Sequence, residues 1–206
     1  MPIMKDRQYR ALAFNTPAKE DKKNKFDSDC YVEGYAAKYE RYVLFDDGQS
    51  KKIYEEFLPE CFRNCDMTDI IFQFDHAGKV YARKSNNTLT VEPDQEGLFI
   101  CADLSKTSAA RSMFEDIQTG LITKMSWGFL PDYKTLEVVE DDFSITIRHH
   151  HISKIYDVSA VSIPANNDTE IQARNFANGA IGDFMKEIQK RKNHIKKIKL
   201  LMEVAK

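Results

Sequence analysis

A serine in a strand-like segment is the first candidate for chemistry. Ser126 lies in the segment KMSWGF, residues 124–129. Alternation along a strand sends the three large apolar side chains to one face, and Ser126 and Gly128 to the other. A hydroxyl nucleophile needs a base within hydrogen-bond reach and a third group that orients this base. The pattern also fits an ordinary strand serine, and without a G-x-S-x-G elbow it does not indicate an α/β-hydrolase.

Histidines at three places in the sequence are candidates for the base. His76 follows the apolar run 70–74 and precedes a glycine turn, which places it at the rim of a sheet. The run 149–151 consists of three histidines downstream of Ser126, and His194 lies in a basic C-terminal segment. A single histidine is more often structural than catalytic, so His76 gains weight only in combination with other residues.

The elements that must position these residues are mostly short strands. Alternating or β-branched segments predict strands at 9–14, 31–39, 69–74, 89–91, 97–104, 122–130, 143–148 and 152–163. One helix is predicted at 107–119, with Thr107 or Ser105 as its N-cap and Gly120 as its stop. The pattern predicts an α+β fold, a mostly antiparallel and closed or nearly closed β-barrel with flanking helices. Strands and helices alternate too sparsely for a doubly wound parallel sheet.

The two ends of the chain differ from this strand-rich middle. Residues 1–29 are polar and are predicted to be partly mobile, and residues 30–173 form the predicted barrel domain. Within residues 174–206, the stretch from about 180 to 204 predicts a basic amphipathic helix. This helix packs on its own domain or on a copy of itself, or is a basic arm that contacts a partner or nucleic acid.

Composition excludes several classes of protein. The 206 residues contain 30 basic and 32 acidic side chains, a balance that argues against a surface devoted to nucleic acid or anionic membrane. No apolar run approaches the ~20 residues that span a bilayer, and the first residues lack a secretory apolar stretch, so we expect an intracellular protein. Four scattered cysteines predict free thiols, with no disulfide, metal or cofactor: Cys30, Cys61, Cys65 and Cys101.

Several short blocks occur in an order that is itself informative. They are VEGYA (32–36), FLPECF (57–62), FDH (74–76), GL (97–98), DLSKT (103–107), GLI (120–122), MSWGF (125–129) and DVSAVSIPA (157–165). In this order and spacing, over roughly residues 30–172, the chain resembles the prohead protease family of tailed phages, the group that includes the HK97-type maturation protease.

The resemblance implies a catalytic set. Ser126 is the implied nucleophile and His76 its general base, in a fold similar to the herpesvirus assembly proteases. Asp157 is the implied orienting group, because this position is usually acidic in the phage family. The herpesvirus enzymes use a second histidine, for which His150 is the alternative here. A carboxylate orients an imidazolium more strongly than a neutral ring does, which favours Asp157. Asp75 neighbours His76 on a strand and is expected to point to the opposite face.

The resemblance also implies substrates and a location. The implied function is a serine endopeptidase that cleaves the scaffold, or the scaffolding domain of the major capsid protein, and itself, inside the prohead in the host cytoplasm. Its implied partners are these substrates and other copies of the chain, with no membrane and no specific nucleic acid. Two alternatives remain: a non-catalytic assembly protein of the same fold that binds capsid or scaffold, and a thiol enzyme that uses Cys101 or Cys61.

Overall fold

The structure is a computed structural model that describes residues 8–13, 25–46, 48 and 51–162. All of them belong to the first of two compact units of the chain, Met1–Asn167. The predicted C-terminal helix at about 180–204 lies outside the described residues. So do most of the N-terminal segment and the end of the closing block, residues 163–165.

Twelve strands and one α-helix occur in the described part of the chain. In order they are β1 (Gln8–Ala13), β2 (Tyr31–Lys38), β3 (Tyr42–Phe45), β4 (Lys52–Phe57), β5 (Ile71–Phe74), β6 (Ala77–Arg83), β7 (Leu89–Pro93), β8 (Gly97–Asp103), α1 (Ser108–Gln118), β9 (Lys124–Pro131), β10 (Glu137–Glu140), β11 (Ser144–His149) and β12 (Ile152–Val161). Each of the eight predicted strand segments overlaps an observed strand. The pattern missed β3, β4, β6 and β10.

The strands form three sheets. A five-stranded sheet has the order β1-β9-β12-β5-β6, a four-stranded sheet the order β10-β11-β4-β3, and a three-stranded sheet the order β2-β8-β7. Seven of the nine pairings are antiparallel, and the two parallel ones join β12 to β5 and β11 to β4. The prediction of a mostly antiparallel α+β fold is therefore confirmed.

The predicted closed barrel is wrong, because the strands divide among three sheets that are not closed into one. Alternation predicts that a segment is a strand, but a strand's neighbours are set by contacts between residues far apart in the chain. The likeness to the herpesvirus assembly proteases stays a prediction.

The helix α1 begins and ends as its sequence predicts. Thr107 accepts a hydrogen bond at its side-chain oxygen from the backbone N–H of Ala110, at 3.1 Å, which caps the first turn. Gly120, at φ 77°, follows the last turn. Ala110 and Met113 are buried against the core. The described residues contain no helix that is both long and apolar enough to cross a membrane.

An aromatic cluster in the core anchors the strand that carries Ser126. Trp127 and Phe129 are both fully buried, and their ring centroids lie 4.1 Å apart. Phe57 packs edge-on against both, at 5.1 Å and 5.5 Å. Burial of each such ring contributes roughly 1.5–3 kcal/mol. The predicted alternation in β9 is confirmed, since the large side chains on one face hold the strand while Ser126 lies on the other.

Candidate active site

The five-stranded sheet brings together three side chains from distant parts of the chain. Ser126 lies in the middle of β9, and Asp157 lies on the neighbouring strand β12. Across this antiparallel pair, Ser126 is opposite Ser159 and Gly128 is opposite Asp157. Residues two apart on a strand share a face, so the serine and the carboxylate lie on one face. Gly128 has no side chain to occupy the space beside them.

His76 reaches these residues from a tight turn. β5 pairs in parallel with β12 and returns as β6 through a two-residue loop, Asp75 and His76. Both loop residues have positive φ, 48° and 55°, which is the pattern of a type I′ hairpin turn. Such turns favour Asn, Asp or Gly at the first central position and Gly at the second, because a Cβ is crowded at positive φ. Asp75 therefore suits its position, whereas His76 lies at the position where glycine is usual.

The three side chains form a continuous hydrogen-bonded chain. Nδ1 of His76 lies 2.5 Å from Oδ1 of Asp157, and its Nε2 lies 2.6 Å from Oγ of Ser126. A carboxylate only accepts hydrogen bonds, so Nδ1 carries the proton and Nε2 is left to accept from the serine hydroxyl. The side chains of His76 and Asp157 are 5% and 1% exposed, and Ser126 is 2% exposed. Bulk water screens such a covered pair little.

A fourth residue, Ser159, supports the carboxylate. Ser159 is fully buried and donates from Oγ to Oδ1 of Asp157 at 2.9 Å. The other oxygen, Oδ2, is buried and has no hydrogen-bond partner within the described ranges. The hydrogen bonds to this carboxylate are thus concentrated on the oxygen that faces His76. Sequence reasoning missed Ser159, although its i, i+2 spacing from Asp157 on one strand was a usable signal.

The histidines at 149–151 lie elsewhere, each beside a different carboxylate. His149 is buried and binds Oε1 of Glu55 at 2.7 Å. His150 is 40% exposed and lies 3.0 Å from Oε2 of Glu137. His151 lies 3.5 Å from Oδ2 of Asp132. The structure brings Asp157, and not His150, to Nδ1 of His76. His194 lies outside the described residues.

Neither of the two cysteines considered as an alternative nucleophile, Cys61 and Cys101, offers an activated thiol. Cys61 and Cys101 are fully buried, and burial raises the pKa of both thiols above the ordinary value. A raised pKa disfavours the thiolate, which is the reactive form. Burial also raises the pKa of Cys65 to about 12. This arrangement disfavours the thiol-enzyme alternative.

Comparison with known proteins gives one match. A family model described as the caudovirus prohead serine protease matches residues 16–181 of the chain. The matched region is more than half of the sequence and contains all three side chains of the hydrogen-bonded chain. Neither the curated proteins nor the solved structures gave a significant match.

Proposed function

Because the chain belongs to the caudovirus prohead serine protease family, we propose that Ser126, His76 and Asp157 are the catalytic triad of its peptidase activity. Membership of this family supports a serine peptidase role in the phage prohead, with action on capsid proteins. The proposal adds the residues that carry the reaction, its mechanism and the particular substrates.

The proposed reaction proceeds through an acyl-enzyme. Oγ of Ser126 attacks the scissile carbonyl carbon while Nε2 of His76 takes the hydroxyl proton. The tetrahedral intermediate collapses as the C–N bond breaks, and the imidazolium gives the same proton to the leaving amine. Water then attacks the ester, again losing a proton to Nε2, and the carboxylate product leaves as Ser126 regains its proton. Asp157 keeps Nδ1 protonated throughout and stabilises the imidazolium.

The observation that carries the proposal is the unbroken hydrogen-bonded chain from Ser126 through His76 to Asp157. Each step lies at 2.5–2.6 Å, within the reach that proton transfer requires. The two ring nitrogens are used in the order that the mechanism needs, with the carboxylate at Nδ1 and the hydroxyl at Nε2. Asp157 is favoured over His150 as the third member because His150 is exposed and pairs with Glu137.

The proposed substrates are the scaffold, or the scaffolding domain of the major capsid protein, and the chain itself. Cleavage would follow assembly of the prohead in the host cytoplasm. Co-expression of the wild-type chain with the major capsid protein should give shortened capsid subunits by mass spectrometry, and Ser126→Ala should leave them at full length. Capsids that mature normally with Ser126→Ala would instead support a non-catalytic assembly protein.

A fluorophosphonate probe tests the nucleophile without knowledge of the substrate. The wild-type chain should bind one probe covalently, at Ser126, and both Ser126→Ala and His76→Ala should lose the label. Ser144→Ala is the matched control, because Ser144 is another buried strand serine but is hydrogen-bonded to Asp141. Label that persists in Ser126→Ala would place the nucleophile elsewhere.

A further inference from the structure

The loop that carries His76 is held in an unfavourable backbone conformation. Asp75 and His76 both have positive φ, and the histidine lies at the second central position of the turn, where glycine is usual. Conformations of this kind persist only where the surrounding structure determines them strongly. A contact that holds this loop would therefore also control the position of the imidazole.

A cluster of hydrogen bonds between Asp75 and the end of β12 provides such a contact. The backbone N–H of Asp75 donates to the carbonyl of Ala160 at 2.9 Å. The backbone N–H of Ser162 donates to Oδ1 of Asp75 at 3.0 Å, and its hydroxyl donates to Oδ2 at 2.8 Å. We name the two side-chain bonds the Asp75–Ser162 clasp. It occupies both carboxylate oxygens of Asp75.

The clasp ties the histidine loop to the strand that supplies the rest of the site. β12 carries Asp157, which binds Nδ1 of His76, and Ser159, which lies opposite Ser126. One strand therefore holds the carboxylate, pairs with the nucleophile strand and, through Ser162, fixes the turn that presents the base.

We propose that Asp75 and Ser162 are positioning residues of the active site, which hold His76 within hydrogen-bond reach of Ser126. The proposal rests on the proposed function of this triad. Asp75 acts through the geometry of the turn, since Ser162 binds both oxygens of its carboxylate. Its hydrogen bonds, and not its charge, are the property that matters.

A second clasp of the same chemistry supplies a matched control. In the loop between β10 and β11, the backbone N–H of Ser144 donates to Oδ1 of Asp141 at 2.7 Å, and its hydroxyl donates to Oδ2 at 2.8 Å. This clasp closes a turn of the four-stranded sheet, which contains none of the triad. Loss of the Asp141–Ser144 clasp measures the general cost of losing such a contact.

The test compares two substitutions of Asp75 that both tolerate positive φ. Asp75→Gly removes the clasp, whereas Asp75→Asn retains an oxygen for the Ser162 N–H and can donate its amide to the Ser162 hydroxyl. With the fluorophosphonate probe, Asp75→Gly should lower the maximal inactivation rate by about 10- to 100-fold, as expected for a misplaced catalytic group. The concentration for half-maximal rate should change less than about 2-fold. Asp75→Asn should stay within about 3-fold of wild type, and Ser162→Ala should fall between the two.

The controls separate positioning from general destabilisation. Asp141→Gly and Ser144→Ala should leave the inactivation rate unchanged, even where they lower the melting temperature as much as Asp75→Gly does. Equal losses of rate in Asp75→Asn and Asp75→Gly would overturn the proposal, because the charge would then be the important property. An Asp75→Gly variant with the wild-type rate would also overturn it.

A spectroscopic measurement tests the clasp independently of activity. In a sample labelled with ¹⁵N-histidine, with His76→Gln used for assignment, wild-type His76 should show a single tautomer protonated at Nδ1. Asp75→Gly should give averaged nitrogen shifts, and Asp75→Asn should resemble wild type. If the wild-type protein fails to react with the probe, the proposed function is wrong. The spectra still test whether the Asp75–Ser162 clasp positions His76. Unaltered His76 shifts in Asp75→Gly would reject it.

Discussion

The molecule contains two buried pairs of an imidazole and a carboxylate. His76 and Asp157 lie 2.5 Å apart in the five-stranded sheet, with side chains 5% and 1% exposed. His149 and Glu55 lie 2.7 Å apart in the four-stranded sheet, and both side chains are 1% exposed. The two histidine–carboxylate pairs therefore hardly differ in the burial of their side chains or in the distance between nitrogen and oxygen.

The difference lies at the second nitrogen of each ring. Nε2 of His76 faces the hydroxyl of Ser126, whereas Nδ1 of His149 is buried without a hydrogen-bond partner in the part of the chain that the structure describes. The ring of His149 stacks on Phe57, with centroids 4.7 Å apart and planes 19° apart. The other oxygen of Glu55 accepts from the hydroxyl of Tyr42 at 2.7 Å.

The comparison teaches that a buried histidine–carboxylate pair does not by itself make an active site. A proton relay needs a reacting group at the far nitrogen. The pair of His149 and Glu55 instead joins the parallel strands β11 and β4 inside the core, so we infer that it serves the fold. Substitutions in the two pairs should therefore separate activity from stability.

The largest effect is expected for removal of the proposed general base, His76. His76→Gln should lower the rate of peptide hydrolysis or probe labelling by about 10⁴- to 10⁶-fold, since serine and histidine of such a triad act as a unit. The melting temperature should fall as well, because the buried carboxylate of Asp157 loses its partner, so the rate is taken per folded molecule. His149→Gln should also lower the melting temperature but should keep the wild-type rate per folded molecule. A large rate loss in His149→Gln would erase the distinction between the two pairs.

Replacement of the proposed orienting carboxylate, Asp157, should have the next largest effect. Asp157→Asn should lower the rate by about 10⁴-fold. An asparagine amide that donates to Nδ1 of His76 leaves the ring proton on Nε2, and a protonated Nε2 cannot accept the hydroxyl proton of Ser126. His150→Asn should change the rate by less than about 3-fold, given that His150 lies at the surface. The rate constant of covalent probe labelling, measured for both variants, gives the comparison. A larger loss of rate in His150→Asn than in Asp157→Asn would instead make His150 the third member of the triad.

For the second pair, the expected effect is on stability. Glu55→Leu alone should lower the free energy of unfolding by about 1–3 kcal/mol, because it leaves the buried ring of His149 without its hydrogen-bond partner. The double variant Glu55→Leu with His149→Phe should recover most of this loss, since replacing both members by apolar groups of similar volume is often close to neutral. Urea unfolding measures both. If the double variant is no more stable than Glu55→Leu alone, the pair stabilises the fold by more than satisfying the hydrogen-bonding groups of its two members.

The smallest effect concerns the support of Asp157. Ser159→Ala removes one donor from Oδ1 while His76 remains bound there. A hydrogen bond to a charged group is worth about 1.5–3 kcal/mol, and part of it is retained by the other contacts, so the rate should fall about 10-fold. Ser153→Ala on the same strand is the control and should have the wild-type rate. Equal rates in Ser159→Ala and Ser153→Ala would show that Ser159 does not support the function of Asp157.

Part of this protein could be read from local pattern. Alternation around Ser126 identified the strand and the face that bears the hydroxyl, because side-chain direction in a strand depends only on the neighbouring residues. The helix start at Thr107 and its stop at Gly120 followed from capping chemistry, which is equally local. Short segments such as β3 and β10 carry too few residues for a clear period, and they were missed.

The ordered blocks of sequence also indicated the family, and with it the pairing of Ser126 with His76 as a hypothesis. Residue chemistry alone left both as ordinary structural positions. Asp157 was favoured over His150 as the orienting group by the resemblance and by the strength of a carboxylate, but no local pattern says which of the two lies beside the imidazole.

Tertiary structure decided what the local pattern could not. His76 lies 50 residues from Ser126 and 81 residues from Asp157 in sequence, so their contact depends on the order β9-β12-β5 and on the turn between β5 and β6. Sheet order and register come from long-range packing. The same packing divides the strands into three sheets and places His149 beside Glu55. The sequence by itself determined eight of the twelve described strands, the capped helix and the candidate residues. Only the fold determined which of those candidates meet.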